Sequence, residues 1–205
     1  MSKEGFAVNS KGNVWFKISG VSGILTPLIA FTLISLATAH SPQFSWTENA
    51  LSDLGVQQGV TAVLFNSGLI VSGLLTLIFT FDLFMFLRGK ISGEIGAFIL
   101  ALDALALTAI GVFPENVKPL HLYASVAFFV LFPTSLFFIG TALLQMSQTN
   151  LGLFTFSAAV VAALVWVIPY GGGVAVPETL AALSASTWSI VLGFRLLKEA
   201  SHSSK

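Results

Sequence analysis

Residues 61–87 read TAVLFNSGLIVSGLLTLIFTFDLFMFL, with Asp82 as the only charge. A bilayer's hydrocarbon core takes roughly 20 apolar residues of helix to cross, and this run exceeds that length. Lipid offers no partner to an open backbone N–H or C=O, so the segment must be helical. Comparable apolar runs lie at 16–39, 94–113, 121–146, 151–168 and 178–197. The connections between them carry breakers: Pro42, the stretch 88–93, Pro114 and Pro119, the stretch 147–150, and the glycines at 171–173 with Pro177. The predicted fold is therefore all-α, a polytopic integral membrane bundle of six transmembrane helices over residues 16–197. Short tails remain at 1–15 and 198–205.

Composition agrees with this and narrows the function classes. Of the 205 residues, 55% are hydrophobic and 9% charged, against about 25% charged in soluble domains. Mean hydropathy is +0.90. Nine Lys and Arg against nine Asp and Glu leave no basic surplus, which argues against a nucleic-acid partner. With no cysteine, disulfides, thiolate metal sites and cysteine nucleophiles are excluded.

Basic residues set the orientation. Lys3, Lys11 and Lys17 precede or begin the first span, Arg88 and Lys90 join spans two and three, and Arg195, Lys198 and Lys205 end the chain. Only Lys118 lies on the other side. Both termini are thus expected in the cytoplasm of a cell-membrane protein, with loops one, three and five facing outward. Ala37-Thr38-Ala39 has the small-residue spacing of a signal-peptidase site, but the apolar run before it is long for a signal peptide.

The outward loops collect the polar groups. Loop one contains His40, Glu48, Asn49, Ser52 and Asp53. Ser45 and Glu48 have capping-box spacing, and Gly55 suits a helix C′ position, which predicts a short interfacial helix over 46–54. Loop three carries Glu115, Lys118 and His121, the last in the first turn of span four, where the helix dipole favours a neutral ring that can ligate metal or act as a base. Loop five adds Tyr170 and Glu178.

Three readings compete for this layer. His40, Glu115 and His121 can hold a divalent metal with an open position. Asp53, Glu115 and His121 can perform acid–base chemistry on a lipid headgroup or small ligand contacted by Glu48, Asn49, Ser52, Tyr170 and Glu178. Alternatively, all of them are helix caps and a solvated rim, since no HExxH, HxxxH or similar spacing supports a metal centre.

Within the membrane, Asp103 stands near the middle of span three, where an ionisable group is expensive and a functional candidate. Ser72, Thr134, Ser135, Ser186 and Thr187 fall at similar depth and are candidate hydrogen-bond partners. Asp82 lies near the cytoplasmic end, within reach of Arg88 or Lys90. Small residues mark expected helix contacts at Ser19, Gly23, Gly68, Gly73, Ser92 and Gly96. Paired intramembrane histidines for haem and a late-helix lysine for retinal are both missing.

Two stretches carry a resemblance. Asn49-Ala-Leu-Ser52-Asp53-Leu54-Gly55 with Phe65-Asn66 is one, and Gly111-Val-Phe-Pro114-Glu115-Asn116 with His121 is the other. Together they resemble an uncharacterised six-helix prokaryotic membrane family, catalogued as domain of unknown function 998, over about residues 16–197. The resemblance implies a six-span fold and outward placement of both motifs; it implies no activity. Three functions remain open. One is an outward site for a lipid headgroup, small ligand or metal, with hydrolytic or transfer chemistry open to it. A second is a small proton- or cation-coupled transporter using Asp103. The third is a noncatalytic subunit of a membrane complex or homo-oligomer.

Overall fold

The computed structural model describes residues 10–202. Lys3, Lys205 and the outer parts of both predicted tails lie outside the described residues. Six helices form: α1 Ser10–Ala39, α2 Val60–Leu87, α3 Ile91–Val112, α4 Leu120–Gln145, α5 Thr149–Leu164 and α6 Ala175–His202. A 3₁₀ turn, Val165–Val167, extends α5, and a second, Leu51–Val56, sits in loop one. All six helices are long and apolar enough to cross a membrane, and no strand occurs among the described residues.

Each helix packs on the next in sequence, and α6 returns to pack on α1, so the helices close into a ring. The seam between α5 and α6 is its sparsest contact. Large apolar side chains such as Phe98 and Phe194 remain 63% and 60% exposed, the arrangement expected of side chains meeting lipid rather than water.

Inside the ring, hydrophobic burial does not drive helix to helix, because lipid is as apolar as leucine; close packing and hydrogen bonds must hold it. Two clusters do the packing. The one toward the chain termini centres on Phe79, Leu83, Leu136, Ile139, Trp188 and Leu192. The other, at the end carrying loops one, three and five, contains Ile34, Leu51, Leu54, Phe65, Leu69 and Ile110. Loop one is therefore part of the core and roofs that end of the bundle.

The ring closes where the backbones of α1 and α6 approach at Gly20 and Gly193, flanked by the side chains of Ile24 and Leu197. A Cβ on Gly193 would lie 2.7 Å from the Gly20 carbonyl oxygen, and one on Gly20 would lie 2.8 Å from that of Gly193. Ser189 and Gly193 have small-xxx-small spacing on α6, a sequence signal for this contact that the expected helix contacts did not include. Pro27 leaves the Gly23 carbonyl without its helical donor. Ser189 Oγ of α6 donates to that oxygen at 2.6 Å, so the neighbouring helix completes the bond that proline removes.

Pro177, expected as a breaker between spans, lies instead in the first turn of α6. A missing N–H loses no helical bond there. Asp82 also departs from its expected rim pair. It is buried and accepts from Ser19 Oγ at 2.6 Å, tying α2 to α1. The ion pair found among the described residues is Arg195 with Glu199, one turn apart on α6.

Candidate functional site

Asn49 and Asp53 organise the roof. Asn49 Oδ1 accepts the Ser45 N–H at 2.9 Å, and its Nδ2 donates to Asp53 Oδ2 at 2.7 Å. The same Asp53 oxygen accepts the Ala50 N–H at 3.0 Å. This local bonding winds a 3₁₀ turn at Leu51–Val56 in place of the predicted helix over 46–54. The Ser45–Glu48 capping box does not form its side-chain bonds, because Asn49 takes the Ser45 N–H and Ser45 Oγ meets Thr47 Oγ1. Gly55 is not a C′ residue either. It lies within the turn, packed against Phe65 and Asn66, and its carbonyl accepts from Asn66 Nδ2 at 2.9 Å.

Loop five clamps this roof. The N–H groups of Gly173, Val174 and Ala175 donate to Thr47 O, Asn49 O and Asn49 O at 2.8, 3.1 and 2.9 Å. From the first turn of α6, Glu178 Oε2 then accepts the Leu51 N–H at 2.7 Å. Loop three supplies the remaining groups. Ser52 Oγ donates to Glu115 Oε2 at 3.3 Å, and the Asp53 carboxyl stands close enough to act on the Glu115 carboxyl. His121 is buried, with its Nδ1 2.8 Å from the Phe113 carbonyl. A carbonyl only accepts, so Nδ1 carries the proton and Nε2 is left to face a ligand.

Asp53, Glu115, Glu178, His121 and Ser52 thus meet at the bundle end. A carboxyl so close to a second carboxylate resists ionising. Glu115 is pushed above the usual range, first by burial and then by the neighbouring carboxyl of Asp53; Ser52 and His121 offset part of this. The folded state therefore holds the Glu115 proton more tightly than the unfolded chain does. The resulting stabilisation is complete below the ordinary value of 4.5 and is lost as pH rises through the raised value. Thermal melting should accordingly weaken over that window in the wild type. Glu115→Gln should flatten the pH dependence, and an unchanged slope would show that Glu115 does not carry it.

Beneath these groups runs an open groove of about 930 Å³. Ser52, Glu115, Lys118, His121 and Glu178 form its head, and Leu122, Val126, Phe129, Val130, Phe137 and Trp166 its apolar wall. Next to it, enclosed by α1, α2, α3, α4 and α6, lies a central cavity of about 130 Å³. The two share Ser52, Ser125, Phe129 and Glu178 in their walls. The groove face of α4 was legible as a spacing: His121, Ser125, Phe129 and Pro133 recur every four residues, one helical face.

Other expected residues stand apart. His40 is exposed, its Nδ1 bonded to Leu36 O at 2.8 Å, and neither His40, Glu48 nor Tyr170 lines the groove or the cavity. Asn49 acts through Asp53 rather than on the groove. Among the described residues, no three His, Asp or Glu side chains are grouped so as to hold a metal ion.

Asp103 is 2% exposed and lines the central cavity. The hydroxyls expected to reach it bond elsewhere. Ser72 donates to Thr26 O, while Thr134, Ser135, Ser186 and Thr187 donate to carbonyls of their own helices. Asp103 Oδ1 has no hydrogen-bond partner.

No curated protein and no solved structure matches the chain. Residues 24–195 match the family described as "Protein of unknown function (DUF998)". That stretch holds the roof, the groove and the cavity, and the chain belongs to this uncharacterised family of membrane-spanning proteins.

Proposed function

We propose that the chain is a cell-membrane protein whose roofed end faces outward and binds a zwitterionic phospholipid. Its groove carries the reading: mixed-charge groups stand at one end of an apolar channel long enough for acyl chain. Lys118 suits the phosphate, and His121 Nε2, an acceptor, suits a headgroup N–H or O–H. Glu115 and Glu178 suit an ammonium or hydroxyl, which can donate to their oxygens, while Asp53 stands behind Glu115 outside the groove wall. A headgroup with N–H donors fits better than a methylated one, because carboxylate oxygens accept and do not donate.

The test is native mass spectrometry of the protein in mild detergent, titrated with phosphatidylethanolamine or phosphatidylcholine. Phosphatidylethanolamine should bind at least tenfold more tightly, and Glu115→Gln or His121→Ala should remove that preference. Equal binding of both lipids by all three proteins would overturn the reading. The Asp53–Glu115 pair favours acid–base chemistry on the bound headgroup as a second reading. In that case the wild type releases a water-soluble headgroup from the bound lipid and His121→Ala does not.

A further inference from the structure

The central cavity differs in chemistry from the groove. Its walls are largely apolar, with the rings of Phe31, Phe65, Phe128, Phe132 and Trp188 among them, and they hold Asp103 and, at the roofed end, Glu178. Seven hydroxyl side chains also reach it, and six have their proton committed: Thr26 to Ser22 O, Ser52 to Glu115, Ser72 to Thr26 O, Thr76 to Ser72 O, Ser186 to Ala182 O and Ser189 to Gly23 O. The cavity therefore presents hydroxyl lone pairs, ring faces and an unpartnered carboxyl oxygen; the six committed hydroxyls offer it no donor, and Ser125, the seventh, makes no bond to that oxygen.

We propose that this cavity is a binding site for a small aromatic or alkyl amine, held by its ammonium on Asp103 and by the surrounding rings. A buried carboxylate is tolerated when a cation pairs with it, and ring faces attract the same cation. Size agrees. An apolar cavity of order 150 Å³ accepts benzene, and this one is about 130 Å³, so a single ring with a short amine arm matches it. The site stands without the phospholipid reading, since Asp103 and the ring faces of Phe31 and Trp188 take no part in the groove.

The probes are benzylamine and toluene, which share a ring and differ in the ammonium. Each is titrated into the full-length protein in detergent, followed by the rise in its thermal midpoint. Benzylamine should stabilise the wild type saturably, and Asp103→Asn should weaken it at least tenfold while toluene acts alike on both. Equal benzylamine binding by the two proteins, or none by the wild type, would overturn the site. If Asp103→Asn does not fold, Ala185→Leu keeps the carboxyl and fills the cavity. It should abolish the benzylamine response, and an undiminished response would again refute the proposal.

Discussion

Trp188→Ala should lower the unfolding free energy by about 3–5 kcal/mol, the range for deleting a large buried aromatic. Trp188 is 1% exposed and lies where α6 meets the rest of the ring. Its indole meets Phe79 and Phe132 edge-on, at centroid separations of 5.9 and 6.0 Å. Its Nε1 donates to Thr155 Oγ1 of α5 at 3.1 Å. One side chain thereby joins α2, α4, α5 and α6 across the sparsest seam. The neighbouring cavity cannot collapse onto the vacated space without moving a helix, which places the expected loss toward the upper part of the range. Denaturant titration in detergent measures it, with Trp15→Ala as reference. Trp15 is 53% exposed, and its removal should change stability little. A small loss at Trp188 would mean that the ring is held mainly by its helix-to-helix backbone contacts.

Gly173→Val should undo the roof while leaving the bundle folded. A Cβ at this position would lie 2.5 Å from the Asn49 backbone nitrogen, and no rotamer relieves a clash at Cβ. Loop five must withdraw, breaking the three N–H bonds it makes to Thr47 and Asn49. Each such bond contributes about 1 kcal/mol net, and overpacking adds about 1–3 kcal/mol. The Glu178 bond to Leu51 is then free to open. Hydrogen–deuterium exchange over residues 47–54 should accelerate by at least tenfold, with residues 130–143 unaffected, and phospholipid affinity should fall with it. Unchanged exchange over 47–54 would show that the clamp does not hold the roof.

Much of the fold was legible because lipid enforces a simple rule. A run such as 61–87 can only be a helix, and α2 begins at Val60 and ends at Leu87. The loops obey no such rule. Ser45 and Glu48 had the spacing of a cap, yet Asn49 competes for the same N–H, and only the folded loop decides between them. The site was legible in its membership: Asp53, Glu115, Glu178, His121 and Ser52 were all named as candidates from three loops. Their convergence was not, since it depends on Gly173 admitting the Asn49 backbone and on a bond from Leu51 to Glu178. Asp103 was legible as costly at its depth. Its missing partner was not, because hydroxyls in helices bond readily to the carbonyl one turn back, as Thr134 and Ser186 do.

The bond between the Leu51 N–H and Glu178 spans 127 positions of chain. During synthesis the first hairpin enters the membrane long before the last helix leaves the ribosome. Until then the Leu51 N–H lacks its carboxylate, and the Gly23 carbonyl freed by Pro27 lacks Ser189. Arrival of α6 answers both, one at each depth of the bundle, and drops loop five onto the roof. A chain stalled before α6 would carry four of the five converging site residues with no lid and two open polar groups, a state that quality-control proteases can distinguish from the finished protein. The site is complete only once α6 has joined the ring.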